Sequence, residues 1–181
     1  MSVIWIIILL VAVFSVFTFN SLIKLRNLVK EAWSGIDVQL KRRYNLVPNL
    51  VDLVKGYAQY EKDVLESVTN ARAKTTSSTN TKERAESEGA LSQTLKTLFA
   101  VVENYPQLKA NQNYLALQKE LSEIEDNIQL SRRYYNGVVR DLNIKIESVP
   151  SNIIAASFKF EQADFFQIES AVEREVPKFN P

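Results

Sequence analysis

Between Val3 and Phe19 the chain carries no charged residue, and only Ser15 and Thr18 interrupt an otherwise apolar run. The first charged side chain is Lys24. About 20 apolar residues at ~1.5 Å per residue match the ~30 Å hydrocarbon core of a bilayer. An uncleaved transmembrane anchor is therefore expected over residues 1–23, with a helical bundle over 24–157 and an aromatic-containing tail over 158–181. A secretory signal peptide has a basic segment ahead of a shorter apolar core and small residues at its cleavage site. No Lys or Arg precedes this run, and Phe17-Thr18-Phe19-Asn20-Ser21 follows it. A lipoprotein anchor needs a cysteine, and the chain has none.

Charge bias sets the expected orientation. Lys24, Arg26 and Lys30 follow the run and are opposed only by Glu31. Basic flanks stay in the cytoplasm. The expected topology is a single pass through the cell membrane, with the N-terminus outside and the remaining domain cytoplasmic. Trp5 near one end of the run and Phe17 and Phe19 near the other fit interfacial aromatic anchors.

The chemistry open to the rest of the chain is bounded by its composition. The chain has no His and no Cys. That removes Ser-His and Cys-His dyads, thiolate metal sites and disulfides, and leaves acid-base work to Asp, Glu, Lys or Tyr. Lys plus Arg total 22 against 21 for Asp plus Glu, which lacks the basic excess of a nucleic-acid surface. With only 4 Gly and 5 Pro there are few breakers, which favours long helices.

Apolar spacing agrees. Trp33, Ile36, Leu40, Tyr44, Val47, Leu50, Val54, Tyr57, Leu65, Val68 and Ala71 advance in helical steps. No Gly or Pro falls between Val3 and Ser34, so the anchor is expected to run straight into this helix. Pro48 removes one helical hydrogen bond and crowds the Tyr44 carbonyl. Because the phase carries through it, either a kink or a short break near Asn45 would fit. Thr75 to Thr81 reads as a polar loop, with Thr79 or Asn80 capping a helix from Lys82 to about Asn104. Pro106 ends it. Tyr114, Leu117, Leu121, Ile124, Ile128, Tyr135, Val138, Leu142 and Ile146 then predict a helix of about 40 residues from Gln107, close to 60 Å long. Gly137 within it is expected to mark the close approach of a neighbouring helix. Ser151 is placed to cap a short helix, and Phe158, Phe160, Phe165, Phe166 and Ile168 are expected to fold back onto the bundle. The fold class is all-α: a transmembrane helix followed by an antiparallel up-and-down bundle of three to four long helices.

Few constellations suggest chemistry. Glu120, Glu123, Glu125 and Asp126 cluster on one long helix, but di-metal bundles use Glu-x-x-His pairs, and exposed-face carboxylates explain these residues. Arg42-Arg43 and Arg132-Arg133 could capture phosphates or lipid headgroups. Ion pairing with Asp37, Asp52, Glu123 or Glu125 is the expected use. Of Tyr134 and Tyr135, helical spacing turns one inward. No Gly-rich phosphate loop and no serine-acylating motif is present. No catalytic, cofactor-binding or metal residue is assigned, and no cofactor is expected.

Taken whole, the chain resembles the bacterial LemA family. The resemblance is carried by Phe19-Asn20-Ser21-Leu22, by the block from Trp33-Ser34-Gly35-Ile36-Asp37 through Arg42-Arg43-Tyr44-Asn45-Leu46-Val47-Pro48-Asn49-Leu50-Val51, and by Val54-Lys55-Gly56-Tyr57-Ala58. Tyr105-Pro106-Gln107-Leu108-Lys109-Ala110, Arg132-Arg133-Tyr134-Tyr135-Asn136 and Ser148-Val149-Pro150-Ser151-Asn152 continue it. Val149 departs from the Phe more usual at that position, which affects packing only. The resemblance implies a single-pass, membrane-anchored helical bundle without agreed catalytic residues. It also implies relatives involved in magnetosome membranes and genes near a membrane metalloprotease. The expected function is that of a non-catalytic scaffold or adaptor, with a membrane-remodelling or lipid-binding module as the alternative. Expected partners are the membrane, further copies of the chain as a homo-oligomer, and a membrane protein such as a metalloprotease; nucleic acid is not among them.

Overall fold

The computed structural model describes residues 2–58, 60–78 and 80–167. They form six helices: α1 (Ser2–Tyr57), α2 (Lys62–Ser77), α3 (Thr81–Val102), α4 (Pro106–Lys109), α5 (Gln112–Glu147) and α6 (Ser151–Ser157). No strand occurs among the described residues, so the fold is all-α. Two compact units result. The first combines Met1–Arg42 with Glu123–Phe165, and the second Arg43–Ser122 with Phe166. Each long helix, α1 and α5, contributes to both units.

In the second unit the chain goes up and down. Arg72 on α2 reaches the Tyr44 carbonyl on α1, so α2 folds back along α1. Arg43 reaches Glu88 on α3, and Tyr105 beyond α3 returns to Glu61 at the start of α2. Val47, Leu50, Val54, Val68 and Leu98 are fully buried at the centre of this core. Each such side chain contributes on the order of 1.5–3 kcal/mol by leaving water.

Several boundaries differ from the sequence expectation. Of the two outcomes left open at Pro48, the short break near Asn45 does not occur, and helix α1 continues through the proline. The apolar phase from Trp33 to Ala71 belongs to two helices, because the chain turns between Tyr57 and Lys62 while Ala58 stays buried. The polar run is helical up to Ser77: Thr75, Thr76 and Ser77 donate their hydroxyls to the carbonyls of Arg72, Ala73 and Lys74, so they continue the last turn. Asn80 caps α3 as expected, its Oδ1 accepting from the Glu83 amide at 2.8 Å. The expected helix from Gln107 is split. Asn111 Oδ1 accepts from the amides of Asn113 and Tyr114, a capping arrangement that starts α5 afresh at Gln112.

In the first unit α1 and α5 pair antiparallel. Trp33 meets Tyr135 at 5.5 Å between ring centroids, while Leu22 shares a core with Leu142. The segment after α6 is pinned to α5. Asn143 Nδ2 donates to the Ala163 carbonyl and its Oδ1 accepts from the Ala163 amide, and the Tyr135 hydroxyl donates to the Asp164 carbonyl. Ser151 does not cap α6. Its Oγ donates to the carbonyls of Lys145 and Ser148, closing the end of α5 instead. Lys159, at φ 53°, ends α6, with its own amide on the Ala156 carbonyl and the Phe160 amide on that of Ala155. That is the Schellman pattern, here without its usual glycine.

A Cβ at Gly137 would meet nothing within 4 Å, so no neighbouring backbone approaches there. Gly137→Ala is accordingly expected to stabilise the chain by about 0.5–1 kcal/mol through helix propensity, read as a higher thermal midpoint.

Candidate functional site

The exposed apolar face of α1 is the feature that most needs a partner. Every residue from Val3 to Leu10 leaves more than half of its surface uncovered. A contiguous apolar surface of this kind marks a membrane or interaction site. By length and composition α1 can cross a membrane. The exposed cations Lys24, Arg26 and Lys30 follow this surface along the same helix.

The tail aromatics are divided. Phe158 and Phe160 pack on Phe19, with centroids at 4.7 and 5.8 Å, and the Arg26 guanidinium lies 5.4 Å from the Phe160 centroid in a cation–π contact. Phe166 is buried, but Phe158 and Phe165 keep much of their surface exposed, so burial of the tail is partial. Ile168 lies outside the described residues.

The basic pairs also divide. Arg42 is exposed, while Arg43 is 2% exposed. Arg43 Nη2 donates to the carboxylate and to the backbone carbonyl of Glu88, and Nη1 donates to Ser92 Oγ at 2.7 Å. Arg84 Nε stands 3.6 Å from the other Glu88 oxygen. Interhelical pairing was the expected use, and Arg43 makes such a pair with Glu88, a carboxylate outside the four named. In α1 the buried position is Arg43, and Tyr44 is only half-buried. Arg43 therefore cannot serve as a headgroup ligand. Arg133 is exposed and Arg132 half-buried on α5, and of the two tyrosines that follow, Tyr135 is buried and Tyr134 exposed. Glu123 and Asp126 are exposed. Among the described residues no group of three or more acidic side chains is placed to hold a metal ion.

Two tyrosines of the second unit titrate abnormally. Glu61 accepts the Tyr105 hydroxyl at 2.9 Å, and this bond, with desolvation and the carboxylate charge, raises the phenol above its usual pKa of 10.0. Tyr114 is raised by burial and by the charge of Glu103. Both hold their protons to higher pH in the folded chain than in the unfolded one. Their stabilising contribution is therefore full below about pH 10 and is lost as pH rises through the raised values. Tyr114→Phe is expected to flatten the alkaline limb of the stability profile, measured as urea midpoint against pH.

A profile of the LemA family matches residues 32–180. The chain belongs to the LemA family. Protein LemA of Metamycoplasma hominis is 29% identical over 156 residues, covering 86% of this chain and 71% of that protein. Magnetosome protein MamQ 2 of Paramagnetospirillum magneticum is 25% identical over 179 residues, covering 84% and 66%. Magnetosome protein MamQ of Magnetospirillum gryphiswaldense is 22% identical over 164 residues, covering 76% and 60%. The chain thus spans about two thirds or less of the two magnetosome proteins. The family match begins at Ala32, inside α1, so the apolar run precedes the matched region and its reading rests on this chain's own residues. The LemA-matched region takes in the Arg43–Glu88 pair, Pro48 and both tyrosines with raised pKa values.

Proposed function

We propose that this LemA-family chain is a non-catalytic membrane scaffold or adaptor. In this reading α1 crosses the cell membrane once, the N-terminus lies outside, and the helical units lie in the cytoplasm. They assemble there with further copies of the chain or with a membrane protein such as a protease. The carrying observation is the uncovered apolar face from Val3 to Leu10, on the same helix that supplies Val47, Leu50 and Val54 to a core. A helix built this way couples whatever the helical units bind to the bilayer. Resemblance to magnetosome proteins agrees with a membrane setting.

Crosslinking in intact membranes, followed by mass spectrometry of everything joined to the chain, tests the reading. Self-crosslinks or one stoichiometric second protein are expected; a strict monomer with no partner overturns it. Sidedness has its own test in a chain without cysteine. Ser78→Cys is expected to resist an impermeant maleimide in intact cells, and labelling there would reverse the topology.

The exposed cations Lys24, Arg26 and Lys30 favour a second reading, a lipid-binding module at the bilayer surface. It predicts that reversing these three charges weakens association of the anchor-deleted domain with anionic vesicles. Unchanged binding would eliminate it.

A further inference from the structure

We propose that the turn and short helix after α5, residues 148–158, enter the same membrane leaflet as α1, so that lipid holds the first unit at two points. This rests on the reading of α1 as a membrane anchor. The direct ligand is the acyl-chain and glycerol region of one leaflet.

The sequence first sets this segment apart. From Ser148 to Phe158 there is no charged residue, the longest such run outside the N-terminal one. The structure then places the two charge-free runs side by side. Pro150, Ile153 and Ile154 line a recess of about 380 Å³ with Leu10, Val11 and Phe14. Phe14 and Leu10 lie ten and fourteen residues before Lys24, which at ~1.5 Å per residue is roughly 15–21 Å along α1 from the first charge. If the bilayer encloses α1 there, it meets residues 150–154 as well.

The outward surface of this segment suits that setting. Val149 is 80% exposed, Ile153 63% and Phe158 59%, whereas Ser151 is turned inward. Hydrocarbon also requires that backbone polar groups find partners within the protein. Here the amides of Ser148, Asn152, Ile153 and Phe158 donate to the carbonyls of Ile144, Ser148, Pro150 and Ile154. Pro150 has no amide hydrogen to satisfy. The hydroxyls of Ser151 and Ser157 turn onto backbone carbonyls. Asn152 Oδ1 is buried within the protein, with no hydrogen-bond partner, so it faces neither solvent nor lipid. Charges gather at the base of the segment. Glu147 accepts from Gln162, Lys145 and Lys159 are close along the chain, and Arg26 stacks on Phe160. Long basic side chains can extend from such a base to the headgroups.

The test uses the full chain, with single cysteines at Val149, Ile153, Leu9 and Thr76 carrying a polarity-sensitive fluorophore. Each variant is reconstituted into phosphatidylcholine–phosphatidylglycerol vesicles that contain no other protein. Labels on Val149→Cys and Ile153→Cys are expected to shift to the blue, to be quenched by lipid-borne nitroxides as Leu9→Cys is, and to lose the iodide quenching seen at Thr76→Cys. Iodide quenching at 149 and 153 equal to that at 76, with position 9 still lipid-quenched, overturns the inference and leaves the anchor standing. Shielding from iodide without lipid quenching places the segment against protein and overturns it too. Iodide quenching at position 9 defeats the anchor reading itself.

Discussion

Replacing Arg43 alone by methionine is expected to destabilise the chain by about 3–5 kcal/mol, whereas the pair Arg43→Met with Glu88→Leu recovers most of that loss. The asymmetry follows from burial. Arg43 is 2% and Glu88 5% exposed, so neither charge can regain water when its partner is removed. Arg43 also holds Ser92 Oγ and the Glu88 carbonyl, bonds that the 3.6 Å ion pair between Arg84 Nε and Glu88 does not replace. Taking away both charges together removes the desolvation penalty along with the attraction. Arg43→Lys should fall between, because one ammonium cannot reproduce a planar fork that reaches a carboxylate and a hydroxyl at once. Urea unfolding of the detergent-solubilised chain, followed by circular dichroism, measures all of these. A single-variant cost under about 1 kcal/mol would mean that the pair is solvated like an ordinary surface bridge.

That pair also shows where sequence reasoning stopped. The stripe of α3 reads Ala85, Leu91, Leu95, Leu98 and Val102, and Glu88 falls in step with it, three residues from both Ala85 and Leu91. In α1, Ile36, Leu40, Val47, Leu50 and Val54 leave a vacant place that Arg43 fills. A charge at a core position is a signal in itself, since such a residue is buried only with a partner. Apolar spacing alone seats Tyr44 in the α1 stripe and skips Glu88, because it counts only apolar side chains. The run of α1 from the apolar segment on past Ser34 and the cap at Asn80 were legible because each depends on neighbours in sequence. The turn at Ala58 was not, because the apolar phase continues across it, and a single Gly56 without a proline does not by itself end a helix. Asn111 was a local signal overlooked beside a strong long-range periodicity. The pairing of residues 150–154 with Leu10 to Phe14 joins segments about 140 residues apart, and no spacing rule reaches that far.

The second large effect concerns Pro48. A proline inside a helix deprives the carbonyl four residues earlier of its donor, here that of Tyr44. In this chain Arg72 of α2 supplies the missing bond: its Nε donates to the Tyr44 carbonyl at 2.9 Å, and its guanidinium lies 3.6 Å from the centroid of the Tyr44 ring. The defect in α1 thereby becomes an attachment point for α2. Arg72→Met is expected to cost about 2–5 kcal/mol, about 1.5–3 for a hydrogen bond from a charged group and about 0.5–2 for the cation–π contact. In a Pro48→Ala background the alanine amide restores the helical bond to Tyr44, so the same Arg72→Met change should cost only what the cation–π contact contributes, about 0.5–2 kcal/mol. The two substitutions should therefore be coupled by about 1.5–3 kcal/mol, the share of the hydrogen bond, in a double-mutant cycle read by urea midpoints. Costs that add to within about 0.5 kcal/mol would show that Arg72 binds α1 independently of the proline. A clear coupling would mean that Pro48 sets where α2 is held, because the carbonyl it leaves without a helical donor is the one Arg72 takes.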